Sequence, residues 1–143
     1  MTTSRSVLWD LLRTAHLAER ELTRVIEDAG LTPAQFGVLS CLADGDDLSQ
    51  AELARLIMVR PQSMGRLIQD MVSAGLVERT GPGGRGRRTG LRMTDAGSDA
   101  VTRARPAVVR ASRPEALGLS TEAHRRLGEL LAEVRTRLSE DGR

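Results

Sequence analysis

The chain has 143 residues, the length of one domain with a substantial core. Hydrophobic residues make up 40% and charged residues 28% of it, which excludes a disordered or collagen-like chain. No apolar run approaches the roughly 20 residues that span a bilayer, and the N-terminus has no continuous apolar signal core. We therefore expect a cytoplasmic protein that makes no membrane contact. The single cysteine, Cys41, excludes an internal disulfide and a structural zinc site built on thiols.

Positive charge is concentrated in the middle of the chain. All 21 basic residues are arginine, and the formal net charge is only +2. Residues 48–92 carry 8 arginines against 3 acidic residues, whereas residues 1–47 carry 4 against 8 and residues 93–143 carry 9 against 8. A basic region within a nearly neutral chain is typical of a nucleic-acid site.

The spacing of apolar residues predicts four helices in the first half of the chain. Apolar residues recur at intervals of three and four, or follow a helix-start signal, over residues 7–29, 33–43, 49–57 and 60–74. Gly30 ends the first helix, and Thr32-Pro33 opens the second as cap and first-turn proline. Ser49 and Glu52 form a capping box that starts the third.

The fourth predicted helix begins within a residue of Arg60-Pro61 and is closed by Gly75. Its apolar stripe consists of Met64, Leu67, Ile68, Met71 and Val72. The opposite face is polar and consists of Gln62, Ser63, Arg66, Gln69, Asp70 and Ser73. Such a face is either a solvated surface or a surface that binds a partner.

A β-hairpin is predicted next, because LVERT at 76–80 and LRMT at 91–94 flank the glycine-rich segment TGPGGRGRRTG. That segment would form a basic arm carrying Arg85, Arg87 and Arg88.

Two further helices complete the chain. Thr94 caps a fifth helix over about 95–112, which Pro106 is expected to interrupt and kink. A last helix begins at Ser120 and carries an apolar stripe of Leu127, Leu130, Leu131, Val134 and Leu138. The fold class is therefore mainly α with a small β-hairpin.

Two short helices joined by a tight turn and followed by a basic hairpin are the parts of a winged helix-turn-helix. The second helix of this motif enters the major groove, where Gln and Arg bond to base edges and Ser reaches bases or phosphates. We therefore predict base contacts by Gln62, Ser63 and Arg66, with Arg60 and Gln69 nearer the phosphate backbone. The arm is predicted to follow the backbone or enter the minor groove through Arg85, Arg87 and Arg88.

The stretch LTPAQFGVLSCLADGDDLSQAELARLIMVRPQSMGRLIQDMVSAGLVERT, followed by GLRMTDAG, resembles the winged helix-turn-helix core of the MarR family of bacterial transcriptional regulators. The resemblance implies a homodimer with interlocking terminal helices, which reads a palindromic operator in double-stranded DNA. Members of the family often bind a small ligand between the DNA-binding lobe and the dimer region, and this ligand releases the DNA, so the resemblance also implies such a ligand. On this interpretation residues 1–143 are a single MarR-type domain, with a DNA-binding lobe at 31–97 and a helical dimerisation region at 4–30 and 98–143.

The chain departs from the family pattern at two positions. Members commonly place Ser or Thr just before the Arg-Pro of the recognition helix, whereas this chain has Val59, so we expect that cap to be missing. In the wing, the family often has Asp two residues before its minor-groove arginine. Here Arg85 precedes Arg87, so the orienting carboxylate is absent.

Several features have a second interpretation. Trp9, His16 and Phe36 are candidates for an effector pocket or are core residues. Cys41 is a redox switch or a buried packing residue, and we expect packing. His16 and His124 lack clustered partners at ligand spacing, so no metal or other cofactor is predicted.

The sequence contains no nucleophile elbow, Walker-type loop or HExxH motif, so we do not expect an enzyme. We predict a homodimeric repressor of transcription. A sequence-tolerant architectural DNA-binding protein and a winged helix used for protein contacts are the alternatives. The sequence leaves the operator and the existence of an effector open.

Overall fold

A computed structural model of the chain describes residues 6–80 and 88–140. The elements in chain order are α1 (Val7–Ile26), a short 3-10 helix (Glu27–Ala29), α2 (Pro33–Ala43), α3 (Gln50–Leu56), α4 (Pro61–Ser73), β1 (Val77–Arg79), β2 (Leu91–Met93), α5 (Asp95–Ala111) and α6 (Thr121–Glu140). The predicted mainly helical fold with one small hairpin is confirmed. None of the helices in the described ranges combines the length and apolar character needed to cross a membrane.

The ends of the helices are set by local hydrogen bonds, as predicted. Gly30 ends the 3-10 turn in the left-handed conformation, at φ 71°. The first helix is shorter than expected, because Glu27–Ala29 tightens into 3-10 geometry, a common way to end an α-helix. The Thr32 hydroxyl accepts a hydrogen bond from the Gln35 backbone N–H, and Ser49 and Glu52 form the predicted capping box.

The chain divides into two compact units, Met1–Val108 and Val109–Arg143. The core of the first unit contains side chains from α1 to α5 and from the hairpin. Its largest fully buried side chains are Ile26, Leu39, Leu53, Ile68, Met71, Val38 and Val77. The three buried residues of α4 are Met64, Ile68 and Met71, so the predicted apolar stripe faces this core. The polar face of α4 is thereby turned outward.

The hairpin is antiparallel and pairs Val77 with Met93, Glu78 with Arg92 and Arg79 with Leu91. Val77 and Leu91 are buried and join the hairpin to the core. Thr94 caps α5 by accepting a hydrogen bond from the Gly97 backbone N–H, as predicted.

The expected interruption of α5 is wrong, because the helix runs without a break from Asp95 to Ala111 with Pro106 inside it. Proline removes one backbone donor, but the turns on either side keep their own hydrogen bonds. Burial of Ala100, Val101 and Ala104 adds tertiary support to the preceding turns.

In the second unit, the Ser120 hydroxyl accepts a hydrogen bond from the Ala123 backbone N–H and so caps α6. His124 Nε2 lies 2.8 Å from the backbone oxygen of Ser112. No described residue of α6 is buried. Its apolar stripe is between 37% and 56% exposed at Leu127, Leu130, Leu131, Val134 and Leu138.

Candidate nucleic-acid interface

The four predicted contact residues on α4 lie together on its outward face. Gln62, Ser63, Arg66 and Gln69 are all exposed, whereas Met64 and Ile68 of the same helix are buried. This arrangement follows from the helical period of 3.6 residues, which separates the apolar stripe from the polar residues. The core therefore holds α4 by one face and leaves the other free of packing contacts with the lobe.

The side chain of Arg66 extends into solvent. It is 86% exposed, and its Nε lies 3.8 Å from Asp70 Oδ2, one helical turn further on. An exposed pair at this spacing contributes only about 0.3–0.5 kcal/mol, so it orients the guanidinium without holding it. Gln69 Nε2 donates a hydrogen bond to Ser73 Oγ at 3.4 Å. Arg66 can exchange Asp70, and Gln69 can exchange Ser73, for a base edge or a phosphate at a small cost in free energy.

The start of α4 lacks a side-chain cap, as the sequence predicts. Arg60 is the N-cap residue and makes no side-chain hydrogen bond to the first turn. Val59, on which the prediction of a missing cap rests, precedes the N-cap residue, and its side chain packs against the core. The turn that leads into α4 contains Met58 in the left-handed conformation, at φ 61°. The amino-terminal N–H groups of a helix are good donors for phosphate oxygens.

The predicted wing residues fall partly outside the described residues. Arg85 and Arg87 lie in the segment 81–87, so the structure gives no account of them. Arg88 is described, and it is held by the protein itself. Its backbone N–H donates to Asp47 Oδ1 at 2.9 Å, its Nη1 donates to the Asp47 backbone oxygen at 3.5 Å, and its Nη2 lies 3.1 Å from Glu52 Oε2.

Glu52 is therefore shared between the capping box and the wing. Hydrogen bonds from the backbone N–H and hydroxyl of Ser49, together with the Arg88 guanidinium, hold the pKa of Glu52 below its ordinary value. The sequence predicts Glu52 only as a capping residue and does not mark Asp47 as a site residue. No local pattern signals either contact, because 36 residues separate Glu52 from Arg88 and 41 separate Asp47 from Arg88.

The candidate effector residues lie on α1 and α2 and do not line the cleft that the structure describes at the end of α1. Trp9 is 46% exposed on α1, and His16 is exposed on the same helix. Phe36 is half-buried on α2 and packs against the core. A cleft of about 530 Å³ is instead lined by Arg20, Thr23, Arg24, Glu27, Gly30, Leu31 and Thr32. The pocket of Trp9, His16 and Phe36 thus stays a prediction.

Cys41 is half-buried on α2 and borders the core, as expected for a packing residue. Its burial, with the negative charges of Asp46 and Asp44, raises the pKa of the thiol. The thiolate is the reactive form, so this environment lowers its reactivity at neutral pH. Over residues 6–80 and 88–140, no three His, Cys, Asp or Glu side chains are grouped so as to hold a metal ion.

Helix α1 exposes a set of large apolar side chains, as α6 does in the second unit. On α1 the exposed fractions are 75% at Val7, 56% at Leu8, 46% at Trp9, 58% at Leu12 and 59% at Leu17. Clusters of exposed apolar residues of this kind commonly mark a protein-protein interface.

Known proteins share both the sequence pattern and the fold. A family model described as "MarR family" matches residues 29–88. The HTH-type transcriptional repressor Rv2887 of Mycobacterium tuberculosis is 33% identical over 116 residues, which cover 81% of this chain and 83% of that protein.

Two solved structures of Rv2887 superpose on the chain. The complex with p-aminosalicylic acid has a TM-score of 0.71 and 27% identity, and the match covers 90% of this chain and 98% of that one. The complex with DNA has a TM-score of 0.67 and 26% identity, and the match covers 90% of this chain and 97% of that one.

Proposed function

Because this chain belongs to the MarR family of winged helix-turn-helix transcriptional regulators, we propose that it is a sequence-specific DNA-binding repressor of transcription. One observation carries this proposal: α4 is fixed to the core by Met64, Ile68 and Met71 and turns a small polar face outward. A helix held in this way keeps its orientation when it enters a major groove about 12 Å wide. The related repressor Rv2887 has been solved in complex with DNA, which supports the same use of the fold.

In this proposal the site residues divide by function. Gln62, Ser63 and Arg66 contact base edges and determine the preferred sequence, while phosphate contacts supply most of the affinity. The remaining residues, which bind the backbone or minor groove, are Arg60, Gln69, Arg85, Arg87 and Arg88. Among them, Arg88 is held by the acidic partners described above.

The active form is a homodimer that binds a palindromic operator. Exposed apolar residues on α1 and α6 support this proposal, because a second copy would remove them from water. Residues 31–97 then form the DNA-binding lobe, and residues 4–30 and 98–143 form the dimerisation region, within one MarR-type domain. Two lobes related by a two-fold axis match two half-sites of the same sequence.

A small-molecule effector is proposed to release the DNA. The support is the complex of Rv2887 with p-aminosalicylic acid, an aromatic carboxylate. The candidate pocket residues remain Trp9, His16 and Phe36, and p-aminosalicylate is the first probe. An effector acts by binding the DNA-incompetent conformation more tightly than the competent one.

We infer that the protein is not an enzyme, needs no cofactor and works in the cytoplasm, where the DNA of a bacterial cell lies. None of the proposed contacts requires a covalent or metal-assisted step. The DNA-binding part of the proposal is therefore tested directly by a binding assay.

The test is fluorescence anisotropy with DNA from upstream of the protein's own gene and with the same DNA shuffled, from about 50 to 200 mM salt. We expect the upstream DNA to bind about 10³-fold more tightly or better. Arg66→Ala should weaken specific binding about 5- to 150-fold and change binding to shuffled DNA little. Arg24→Ala, which removes an exposed arginine at the end of α1, is the matched control and should change neither.

Three results would contradict the proposal in different ways. Equal, strongly salt-dependent binding to both DNAs would indicate a sequence-tolerant architectural protein. Equal weakening of both DNAs by Arg66→Ala would place Arg66 on the phosphate backbone. No binding to any DNA would favour a winged helix that contacts proteins.

A further inference from the structure

The hairpin is fixed to the start of α3 by a group of contacts at residues 88–90. Arg88 bonds to Asp47 and Glu52, as described above. Beside it, Gln50 Nε2 donates to the Thr89 backbone oxygen at 3.5 Å. Thr89 is only 4% exposed, and its hydroxyl accepts a hydrogen bond from the Leu91 N–H, the first residue of β2. The strand that leaves the wing is thus attached to the helix-turn-helix before the hairpin pairing begins.

We infer that Asp47 and Glu52 are positioning residues of the DNA interface: acting through Arg88, they fix the base of the wing relative to α3 and α4. The inference rests on the proposed function, because it concerns how the lobe presents its DNA-binding parts. Neither acidic residue touches DNA in this proposal. Each acts by holding an arginine of the wing in place.

The charges argue for this role. A carboxylate near a DNA-binding surface repels phosphates, so Asp47 and Glu52 weaken DNA binding unless they contribute something else. Glu52 also completes the capping box of α3. Beyond that, the contribution of both residues is geometric, because together they use three donors of Arg88: its backbone N–H, Nη1 and Nη2. The Arg88 side chain is 57% exposed and that of Glu52 is 34% exposed, so the pair lies at the edge of the lobe.

The same contacts reach the wing from outside the hairpin. Asp47 lies in the loop that precedes α3, and Glu52 lies in α3 itself. The carboxylates that orient a wing arginine therefore come from outside the hairpin, and the arginine that they hold is Arg88.

Glu52→Gln isolates this role from folding. Glutamine at the third helical position still completes a capping box, because its side-chain oxygen accepts the Ser49 backbone N–H. The substitution removes only the negative charge that pairs with Arg88. Glu78→Gln is the matched control, since Glu78 is also an exposed acidic residue of this lobe and pairs with Arg92 on β2.

The experiment measures the affinity of the full-length protein for its cognate DNA by fluorescence anisotropy at several salt concentrations. The proteins compared are wild type, Glu52→Gln, Glu78→Gln, Arg88→Gln and the double variant Glu52→Gln/Arg88→Gln. We expect Glu52→Gln to weaken DNA binding about two- to fivefold at each half-site. This is the change in affinity that corresponds to the free energy of an exposed ion pair. Glu78→Gln should leave binding unchanged or strengthen it. The double variant should bind like Arg88→Gln alone, because Glu52 acts through Arg88.

Stronger DNA binding by Glu52→Gln, the opposite of the expected effect, overturns the inference. If Asp47 and Glu52 only compete with DNA for Arg88, loss of the Glu52 charge frees the guanidinium, and Glu52→Gln strengthens binding as much as Glu78→Gln does or more. Additive effects in the double variant would also refute it. A thermal melt checks that each variant is folded. Failure of the proposed function is distinct, because wild type would then bind no DNA or show no sequence preference.

Discussion

Replacement of Gly97 by alanine should destabilise the winged helix-turn-helix, although alanine is the better helix former. Gly97 lies in the first turn of α5, against the base of the hairpin. A Cβ built there lies 2.1 Å from the backbone oxygen of Leu76, 3.0 Å from Met93 Cγ and 3.1 Å from Leu39 Cδ2. Side-chain atoms can give way, but the carbonyl oxygen is fixed by the hydrogen bond that it accepts from the Thr94 N–H at 3.1 Å.

The magnitude follows from three opposing contributions. Overpacking in a filled core costs about 1–3 kcal/mol. Displacement of the Leu76 oxygen weakens a hydrogen bond worth about 1 kcal/mol. Alanine returns at most about 0.5–1 kcal/mol relative to glycine, the value for a helix interior, because Gly97 lies in the first turn. The free energy of unfolding of Gly97→Ala should therefore fall by about 1–3 kcal/mol, and Tm by about 3–10 °C for a chain of this length.

The assay is thermal and urea unfolding followed by circular dichroism, with Gly65→Ala as the matched control. Gly65 lies inside α4, and no atom lies within 4 Å of a Cβ built there. The same substitution should therefore raise the free energy of unfolding by about 0.5–1 kcal/mol. If both variants are stabilised, Gly97 does not approach the Leu76 oxygen as described. If both are destabilised, the helix-propensity argument fails.

Three further predictions concern the turn of the helix-turn-helix, the cysteine and α6. Met58→Gly should stabilise the lobe by about 1 kcal/mol relative to Met58→Ala, because glycine adopts the φ of 61° without strain and this side chain is 91% exposed. Equal urea midpoints for the two variants would contradict this. Cys41 should react with iodoacetamide more slowly than a free thiol, because burial and Asp46 raise the pKa of its thiol. The reaction rate should still be rising above pH 9.0, the ordinary pKa of a thiol. The control is the protein unfolded in urea. If Cys41 reacts equally fast in the folded and unfolded protein, the argument is refuted. Leu131→Asp should convert the dimer to monomer in sedimentation equilibrium, because it places a charge in the proposed interface. A dimer of unchanged affinity would exclude α6 from that interface.

Much of the site could be predicted from the sequence because it depends on helical period. The separation of Gln62 and Arg66 from Met64 and Ile68 requires only that α4 is a helix with one apolar stripe. Arg88 could not be assigned in this way. Its basic surroundings in the sequence predict a DNA contact, but its bonds to Asp47 and Glu52 join residues that are remote in the chain.

The sequence by itself determined the features that arise within about four residues of chain. The caps at Thr32 and Ser49 and the stop at Gly30 depend on side chains and backbone groups of one turn, so local chemistry is sufficient to place them. The family resemblance spans residues 31–97 and is also a property of the sequence alone.

The tertiary structure alone decided the features that join distant segments. The approach of Gly97 to the Leu76 oxygen, the left-handed Met58 and the contacts of Arg88 with Asp47 all depend on how α3, the hairpin and α5 pack. These geometries are imposed by the core, which outweighs local preference at single residues by burying many side chains at once. No pattern of spacing in a linear sequence contains that information.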